Sequence, residues 1–206
     1  MNDFRYTRPN TLPPIVKNLI IINVLVFLAQ ISIGKQFELT GHLALYSVLH
    51  PAFSPYQIAT HMFAHGSITH ILFNMFGLWM FGKELENRWG PKRFLLFYLI
   101  CGVGAALFHL LIQYLQGDYG AALGASGAIM GIFAAYAYLF PNSEMYIMFI
   151  PVPVKAKYAV IGLAVIDIFG GVAGSDGIAH FAHLGGALTG LILVLIWNKT
   201  DRKRFY

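Results

Sequence analysis

The sequence predicts an all-α protein that is embedded in a membrane as a bundle of six spanning helices. Hydrophobic residues make up 57% of the 206-residue chain and charged residues only 11%, whereas soluble domains carry about 25% charged residues. Six apolar stretches have roughly the 20 residues that a helix needs to cross the hydrocarbon core. They cover residues 15–34, 61–82, 94–115, 122–140, 152–171 and 179–197.

The basic residues alternate between the two sides of a six-span bundle, which is the third observation behind this fold class. Of the 14 lysine and arginine residues, all except Lys35 fall in the two tails, in the second and fourth connections, or at the span ends that adjoin them. Positively charged loops are retained in the cytoplasm, so we expect a cytoplasmic tail at 1–14, a six-span domain at 15–197 and a basic cytoplasmic tail at 198–206. The compact six-span form without a transit peptide indicates a prokaryotic plasma membrane.

The composition also excludes several kinds of site. The net charge of +5 does not form the basic stripe that nucleic-acid binding requires, and we predict no nucleic-acid partner. The single cysteine, Cys101, cannot form an intrachain disulfide or a cysteine zinc site, and its apolar neighbours indicate a packing role. The long first loop, 35–60, carries aromatic and apolar residues that are typical of short helices in the membrane interface.

Polar residues inside the apolar spans are candidates for function, because burying them in lipid costs free energy. At 1.5 Å per helical residue, three of them lie at a similar depth from the basic side: Ser126 at about 22 Å, His183 at about 21 Å and His70 at about 20 Å. Asn74 follows His70 by four residues and shares its helix face. The common depth of Ser126, His183 and His70 allows these three side chains to form one site, whereas Asn74 lies at about 14 Å by the same measure.

Two pairs of glycines predict which helices touch, because small residues four apart let helix backbones approach closely. The pairs are Gly127 with Gly131 in the fourth span and Gly186 with Gly190 in the sixth. His183 lies on the glycine stripe of the sixth span, and Ser126 directly precedes the first glycine of the fourth. If the two stripes pack together, Ser126 and His183 become neighbours.

A helix that starts at Ser126 would explain why a serine is retained between glycines in an apolar segment. Such a helix measures about 22 Å, shorter than the ~30 Å hydrocarbon core, so its start must lie within the bilayer. The first N–H groups of a helix have no intrahelical partner and can stabilise an oxyanion. The serine can attack a carbonyl there, with His183 as the base. His70 and Asn74 could donate to the same oxygen.

Four motifs resemble the rhomboid family of intramembrane serine proteases, and they occur in the family's order along the chain. The motifs are HMFAHGSITHILFN (61–74), ELENRWG (84–90), GASG (124–127) and AHLGGALTG (182–190). The resemblance implies a rhomboid-like bundle in which Ser126 is the nucleophile and His183 is the general base and acid. It also implies that His70, Asn74 and the backbone N–H of Ser126 form the oxyanion hole.

The resemblance implies supporting residues and partners as well. Glu86 and Arg88 would form a structural pair at the basic end of the second span. The expected packing residues around the site are Gly124, Gly127, Gly186 and Gly190. The family cleaves single-span membrane proteins with neither metal nor nucleotide, so transmembrane substrates and membrane lipids are the expected partners, and no cofactor or metal is expected.

Two positions depart from the family pattern. Met130 stands where the family often has a tyrosine stacked on the histidine, so something else would orient His183. Tyr56 and Gln57 stand where the first loop often carries Trp-Arg, so the anchoring of that loop in the interface would differ.

The remaining polar residues of the spans carry less specific signals. His61 and His65 have the i, i+4 spacing of a metal-binding pair, but the glutamate of an HExxH motif is absent, and we interpret them as structural. Asp167 suggests a triad, but nothing in the sequence directs it at His183. We interpret it as structural or cavity-lining, and a role in orienting His183 stays open as the alternative. His180 could contact the residues that position the catalytic side chains without touching the substrate itself.

The predicted function is therefore the cleavage of single-span membrane proteins by a Ser126–His183 dyad. Two alternatives stay open. One is a non-proteolytic rhomboid-like protein that binds membrane proteins, although such relatives typically lack the serine or the histidine. The other is a polytopic transporter whose polar residues line a translocation path.

Overall fold

The computed structural model describes residues 10–146, 152–173 and 179–200, and this part of the chain is predominantly helical. Its helices are α1 (Pro14–Ser32), α2 (Gly34–Phe37), α3 (Leu39–Leu43), α4 (Gln57–Thr60), α5 (Ile68–Gly77), α6 (Lys83–Trp89), α7 (Pro91–Gln116), α8 (Ser126–Leu139), α9 (Ala156–Ala173) and α10 (His180–Thr200). A 3₁₀ turn at His61–Phe63 follows α4, and a π-helical turn at Leu78–Gly82 joins α5 to α6. Antiparallel pairings join β1 (Leu45–Tyr46) to β2 (Ala121–Ala122) and β3 (Glu144–Tyr146) to β4 (Pro153–Lys155). The predicted helical class is confirmed, and the strands of the described ranges are limited to these short pairings.

Within the described ranges, three helices are long and apolar enough to cross a membrane: α1, α7 and α10. The apolar helix α8 has only 14 residues, about 21 Å of helix, and is therefore shorter than the ~30 Å hydrocarbon core. It begins at Ser126, which confirms the helix start expected from the sequence. The helix α9 and the continuous helical segment 68–89 occupy two further predicted positions. The total of six spans stays a prediction.

The second predicted span, 61–82, has the wrong boundaries. After the 3₁₀ turn the chain leaves the helical conformation, and α5 begins only at Ile68. The cause is Ser67, whose hydroxyl accepts the backbone N–H of His70 at 3.1 Å and caps the new helix. A serine side chain competes for the free donors of a helix start, so it favours this break over a continuous helix. At the other end, the helical segment continues beyond residue 82 to Trp89.

This helical segment also anchors the start of α1. The helical segment 68–89 is capped at its C-terminal end by Gly90, whose φ of 80° lies in the left-handed region. One turn earlier, the carboxylate of Glu86 accepts the backbone N–H of Ile15 at 2.9 Å and that of Val16 at 2.8 Å. A carboxylate at a helix N-terminus satisfies free donors and faces the positive end of the helix dipole. The two helices are therefore joined at the basic side of the bundle.

The core of the bundle surrounds α8, which lies against α7 on one side and α10 on the other. Near the basic side, the rings of Trp89, Phe97 and Trp197 contact one another with centroids 5.0 to 5.8 Å apart. Further along α7, Cys101 is fully buried. A Cβ added at Gly131 of α8 would lie 2.5 Å from its sulfur. The predicted packing role of this cysteine is confirmed.

The outer surface of the bundle is apolar. Large hydrophobic side chains are exposed on the outward faces of several helices, with Leu25 on α1 exposed by 59% and Phe169 on α9 by 71%. Soluble proteins rarely expose contiguous apolar patches larger than a few hundred Å². Inside the bundle, polar side chains such as Asn23, Glu86 and Asp167 are buried. Apolar outside and polar inside is the pattern expected of a protein surrounded by lipid.

The first loop contains the short helices α2, α3 and α4, as its composition predicts. Gln57 is 2% exposed and holds the loop together from within. Its side-chain oxygen accepts the N–H of Tyr46 at 3.3 Å and of Ser54 at 3.1 Å, and its amide donates to the carbonyl of Ala52 at 3.0 Å. The preceding Tyr56 is 51% exposed. Where the family pattern often has a basic residue, this loop has a buried amide.

Candidate active site

The helices α8 and α10 are in backbone contact along their glycine stripes. A Cβ at Gly186 would overlap the carbonyl oxygen of Gly127, and a Cβ at Gly190 would lie 2.5 Å from the carbonyl oxygen of Gly131. Only residues without a side chain allow this approach. The helix pairing that the glycine spacing predicts is therefore confirmed.

This contact brings Ser126 and His183 together. Ser126 is the first residue of α8, and His183 lies in the first turn of α10. The hydroxyl oxygen of Ser126 lies 2.8 Å from Nε2 of His183. At this distance the serine O–H can donate to the imidazole, which is the arrangement of an activated nucleophile and its base.

The other nitrogen of His183 contacts Asp167 of α9. Nδ1 of His183 lies 3.0 Å from Oδ1 of Asp167, and Nδ1 of His180 lies 2.8 Å from the same oxygen. Because a carboxylate can only accept, the His183 tautomer that forms this bond carries its proton on Nδ1. Nε2 then presents a lone pair to the hydroxyl of Ser126. The structure therefore directs Asp167 at His183, a placement that the sequence alone did not indicate.

The sequence does contain a signal that could have located Asp167. It lies 12 residues beyond Lys155, about 18 Å from the basic side by the same helical rise that places His183 at about 21 Å. His180 and His183 are three residues apart, so they share a face of α10. A lone intramembrane carboxylate at that depth is the natural acceptor for two imidazole N–H groups.

His70 lines the same cavity as Ser126 and His183. Its Nδ1 accepts the backbone N–H of Gly66 at 3.4 Å, so the proton of the neutral ring is on Nε2. A Cβ at Gly124 would lie 2.7 Å from this Nε2 and 3.7 Å from the hydroxyl of Ser126. The φ of Gly124 is 121°, which disfavours any other residue. Gly124 thus lets the imidazole N–H reach the vicinity of the serine.

Asn74 supports the same side of the site. It is 6% exposed, and its side-chain amide donates to the carbonyl of His70 at 2.9 Å. The side chains of His70 and Asn74 both line a cavity of about 550 Å³ together with Ser126 and His183. The first N–H groups of α8 have no intrahelical partner. The structure therefore brings all four predicted side chains to one cavity beside a helix start.

His61 and His65 lie outside the catalytic contacts. Because the chain breaks before α5, they do not share a helix face, and the i, i+4 reading of this pair is wrong. Nδ1 of His61 donates to the carbonyl of Gln57 at 2.9 Å, and the His61 carbonyl accepts the N–H of Gly124 at 2.9 Å. His65 is 2% exposed, and its ring meets that of His70 edge-on with centroids 5.1 Å apart. His61 thus ties α4 to Gly124, and His65 packs against the ring of His70.

Two further predicted residues lie away from the cavity. Arg88 of α6 has its guanidinium 5.4 Å from the centroid of the Phe140 ring, near the Glu86 cap of α1. Met130 is partly buried and packs against the main hydrophobic core.

Asp167, His180 and His183 are also the one group in the described part of the chain that could offer three ligands to a metal ion. One ligand atom from each lies within 4.8 Å of the others. A metal at this position would replace the proton on Nδ1 of His183 and break its bond to Asp167. The ligand set thus competes with the hydrogen bonds that the structure shows.

Comparison with known proteins identifies the wider similarity. The family model described as Rhomboid domain matches residues 52–199. The human protein named presenilin-associated rhomboid-like protein, mitochondrial, is 33% identical over 196 residues, which cover 90% of this chain and 50% of the relative. Rhomboid protein 1, mitochondrial, of Saccharomyces cerevisiae is 31% identical over 69% of this chain and 42% of its own. RHOMBOID-like protein 12, mitochondrial, of Arabidopsis thaliana is 29% identical over 93% and 60%.

These relatives correct the predicted location. The expectation of a prokaryotic plasma membrane is wrong, because the human, yeast and Arabidopsis relatives named above, like the bovine one, have mitochondrial in their names. The charge pattern distinguishes the two sides of a bilayer but not one organelle from another. The cytoplasmic assignment of the tails is withdrawn for the same reason. The side of the bundle that carries nearly all lysine and arginine residues is the basic side, and the other is the opposite side. The chain spans about half the length of the curated relatives it matches.

Proposed function

The chain belongs to the rhomboid family, and from this premise we propose that it is an intramembrane serine endopeptidase. The observation that carries the proposal is the 2.8 Å contact between the hydroxyl of Ser126 and Nε2 of His183. The two residues are 57 positions apart and belong to different helices. A packing serine in an apolar helix more commonly bonds to its own backbone, as Ser32 does with the carbonyl of Leu28 at 2.6 Å.

The proposed setting is a mitochondrial membrane that the chain crosses six times. The spans would be α1, the helical segment 68–89, α7, α8, α9 and α10. The exposed apolar faces of these helices and the near absence of basic residues on the opposite side support this topology. The non-helical stretch before Ser126 would lie within the bilayer depth, where it is tolerated because it lines a cavity.

In the proposed reaction, Ser126 attacks the carbonyl carbon of a peptide bond and its proton passes to Nε2 of His183. The developing oxyanion accepts hydrogen bonds from Nε2–H of His70, the amide of Asn74 and the backbone N–H of Ser126. The imidazolium then gives its proton to the leaving amine, and the acyl group stays on Ser126. Water then enters the cavity, loses a proton to His183 and adds to the acyl carbon. The ester bond to Ser126 breaks, and the imidazolium returns its proton to the serine oxygen, which releases the acid and restores the free serine.

The proposed substrates are membrane-spanning proteins whose helices unwind locally, because a helix hides its peptide bonds from a nucleophile. A small residue before the cleaved bond is the expectation that the family implies. The cavity is lined in part by the apolar side chains of Phe73 and Ile129 and by the exposed residues Gly66 and Ala121. Membrane lipids would surround the remaining surface.

The two alternatives make different demands on Ser126. A non-proteolytic binding protein needs neither the serine nor its base, and a transporter needs a path rather than a nucleophile. Neither accounts for a serine at a helix start that is hydrogen-bonded to an imidazole on another helix. The experiment below separates all three.

The purified full chain in liposomes is treated with a fluorescent fluorophosphonate and, separately, with several transmembrane substrates. We expect covalent labelling and cleavage by the wild type, and loss of both in Ser126→Ala and His183→Ala. Ser32→Ala is the matched control, because it removes a hydroxyl that bonds only within its own helix, and it should label and cleave normally. Labelling that persists in Ser126→Ala, or a folded wild type that cleaves none of the substrates, would contradict the proposal.

A further inference from the structure

We propose that Asp167 is a positioning residue of the catalytic site, which orients His183 and stabilises it while it carries a positive charge, and that His180 holds Asp167 in place. The inference rests on the proposed protease function. It extends the pair of serine and histidine that the family resemblance implies to a four-residue chain across α8, α9 and α10.

The hydrogen bonds of the site form a continuous path. The hydroxyl of Ser126 lies 2.8 Å from Nε2 of His183, and Nδ1 of His183 lies 3.0 Å from Oδ1 of Asp167. Nδ1 of His180 lies 2.8 Å from the same carboxylate oxygen. Both imidazoles therefore donate to one acceptor, and each bond fixes the tautomer of its ring.

The burial of Asp167 shows that these bonds are needed. The residue is 5% exposed, as is His180, and a buried carboxylate without partners is strongly destabilising. Two imidazole N–H donors supply the partners. The hydrogen bonds that orient His183 therefore also offset the free-energy cost of burying the carboxylate of Asp167.

The face of α9 that carries Asp167 also fixes the ring of His180. Gly170 follows Asp167 by three residues, so both lie on one face of α9. A Cβ added at Gly170 would overlap Cε1 and Nε2 of the His180 imidazole. The ring of His180 thus packs directly against the backbone of α9 at Gly170. A fixed His180 keeps Oδ1 of Asp167 directed at His183.

The chemical role follows from where the protons are. When Nε2 of His183 takes the proton of Ser126, Nδ1 keeps its own proton, and the ring becomes an imidazolium facing the carboxylate. No proton moves to Asp167 in this step. The ion pair forms only as the reaction proceeds, in a site largely shielded from water, so it lowers the barrier more than it stabilises the resting enzyme.

The first test is a kinetic comparison of Asp167→Asn with the wild type in liposomes, on a substrate that the wild type cleaves. The amide has the shape of the carboxylate but no charge, so kcat should fall by about 10² to 10⁴-fold, with KM within about twofold. Asp118→Asn is the matched control. It removes an exposed carboxylate that bonds only to Gln113 and Gly120, and it should keep the wild-type kcat.

The second test distinguishes positioning from a merely structural tie between α9 and α10. In a Ser126→Ala background, adding Asp167→Asn should leave the substrate Kd and the Tm close to those of the single variant. In the same background, proton NMR of ¹⁵N-histidine-labelled protein should show a far-downfield Nδ1–H of His183, which Asp167→Asn shifts upfield. Asp167→Glu should recover part of the lost kcat, and His180→Gln should lower kcat by about tenfold, the worth of one hydrogen bond.

Three results would overturn the inference while leaving the protease proposal intact. One is a kcat of Asp167→Asn within about threefold of the wild type. Another is a loss of activity that only follows a lower Tm or a weaker substrate Kd. The third is a wild type that loses activity on treatment with a chelator, since the three residues would then serve a metal. A wild type that neither labels nor cleaves would instead defeat the proposed function itself.

Discussion

The two faces of α10 are built on different physical principles. Toward α8, the contact is made by backbone atoms, since Gly186 and Gly190 lie directly against the carbonyl groups of Gly127 and Gly131. Toward α9, the contact near the site is made by ionisable side chains, as His180 and His183 share one oxygen of Asp167. The first face fixes where Ser126 and His183 meet, and the second bears on how the imidazole of His183 is oriented. Substitutions can test whether this division of labour holds.

The largest effect is expected from Gly186→Ala. Its Cβ would overlap the backbone oxygen of Gly127, which no rotamer can avoid, so α8 and α10 must separate. We expect a loss of about 1 to 3 kcal/mol in unfolding free energy and a fall in kcat/KM of about 10²-fold or more, because small displacements of reacting groups are costly. Thermal unfolding and substrate cleavage in liposomes measure the two effects.

The matched control is Gly162→Ala in α9, where an added Cβ meets nothing within 4 Å. It should retain activity and gain up to about 0.5 to 1 kcal/mol from better helix propensity. Full activity in Gly186→Ala would show that the close backbone contact is not what aligns Ser126 with His183.

A second substitution, Gly124→Ala, tests whether the cavity wall formed by Gly124 and His70 is equally intolerant of an added side chain. The φ of 121° and the 2.7 Å from its Cβ to Nε2 of His70 both oppose a side chain. We expect kcat to fall by about 10²-fold, because the methyl group displaces an oxyanion donor. The measurement is steady-state cleavage alongside fluorophosphonate labelling, which separates loss of the donor from loss of the nucleophile.

Gly90→Ala provides the comparison for this strain. Its φ of 80° is also left-handed, but an added Cβ there meets nothing within 4 Å. It should cost about 1 kcal/mol of stability and leave kcat unchanged. Equal losses of kcat in the two variants would mean that backbone strain, rather than the contact with His70, is what matters at Gly124.

The smallest of the three effects is expected from Gly170→Ala, which disturbs the face of α10 toward α9. Its Cβ would overlap the His180 ring, and a side chain can move where a backbone carbonyl cannot. We expect kcat to fall by about tenfold, as the bond from His180 to Asp167 weakens, with fluorophosphonate labelling slowed but retained. A loss as large as that of Gly186→Ala would erase the distinction between the two faces.

The same distinction explains what could be predicted from the sequence. Glycine spacing is a local pattern, so the pairing of α8 with α10, the helix start at Ser126 and the contact with His183 were all within reach. The orientation of Asp167 depends on how α9 is rotated about its axis, and its apolar sequence carries no such pattern. The break before α5 depends on one capping hydroxyl, that of Ser67, which competes with a long apolar run. The alternation of basic residues does not indicate which membrane of a cell the chain occupies.

The length of α8 has a consequence for the lipids around the protein. Its 14 residues leave about 9 Å of a ~30 Å hydrocarbon core uncovered above Ser126. A membrane with longer acyl chains would deepen that gap unless the helices tilt or the bilayer thins around them. In the proposed reaction, bilayer thickness therefore sets how far a scissile bond must move from the headgroup region before Ser126 can reach it.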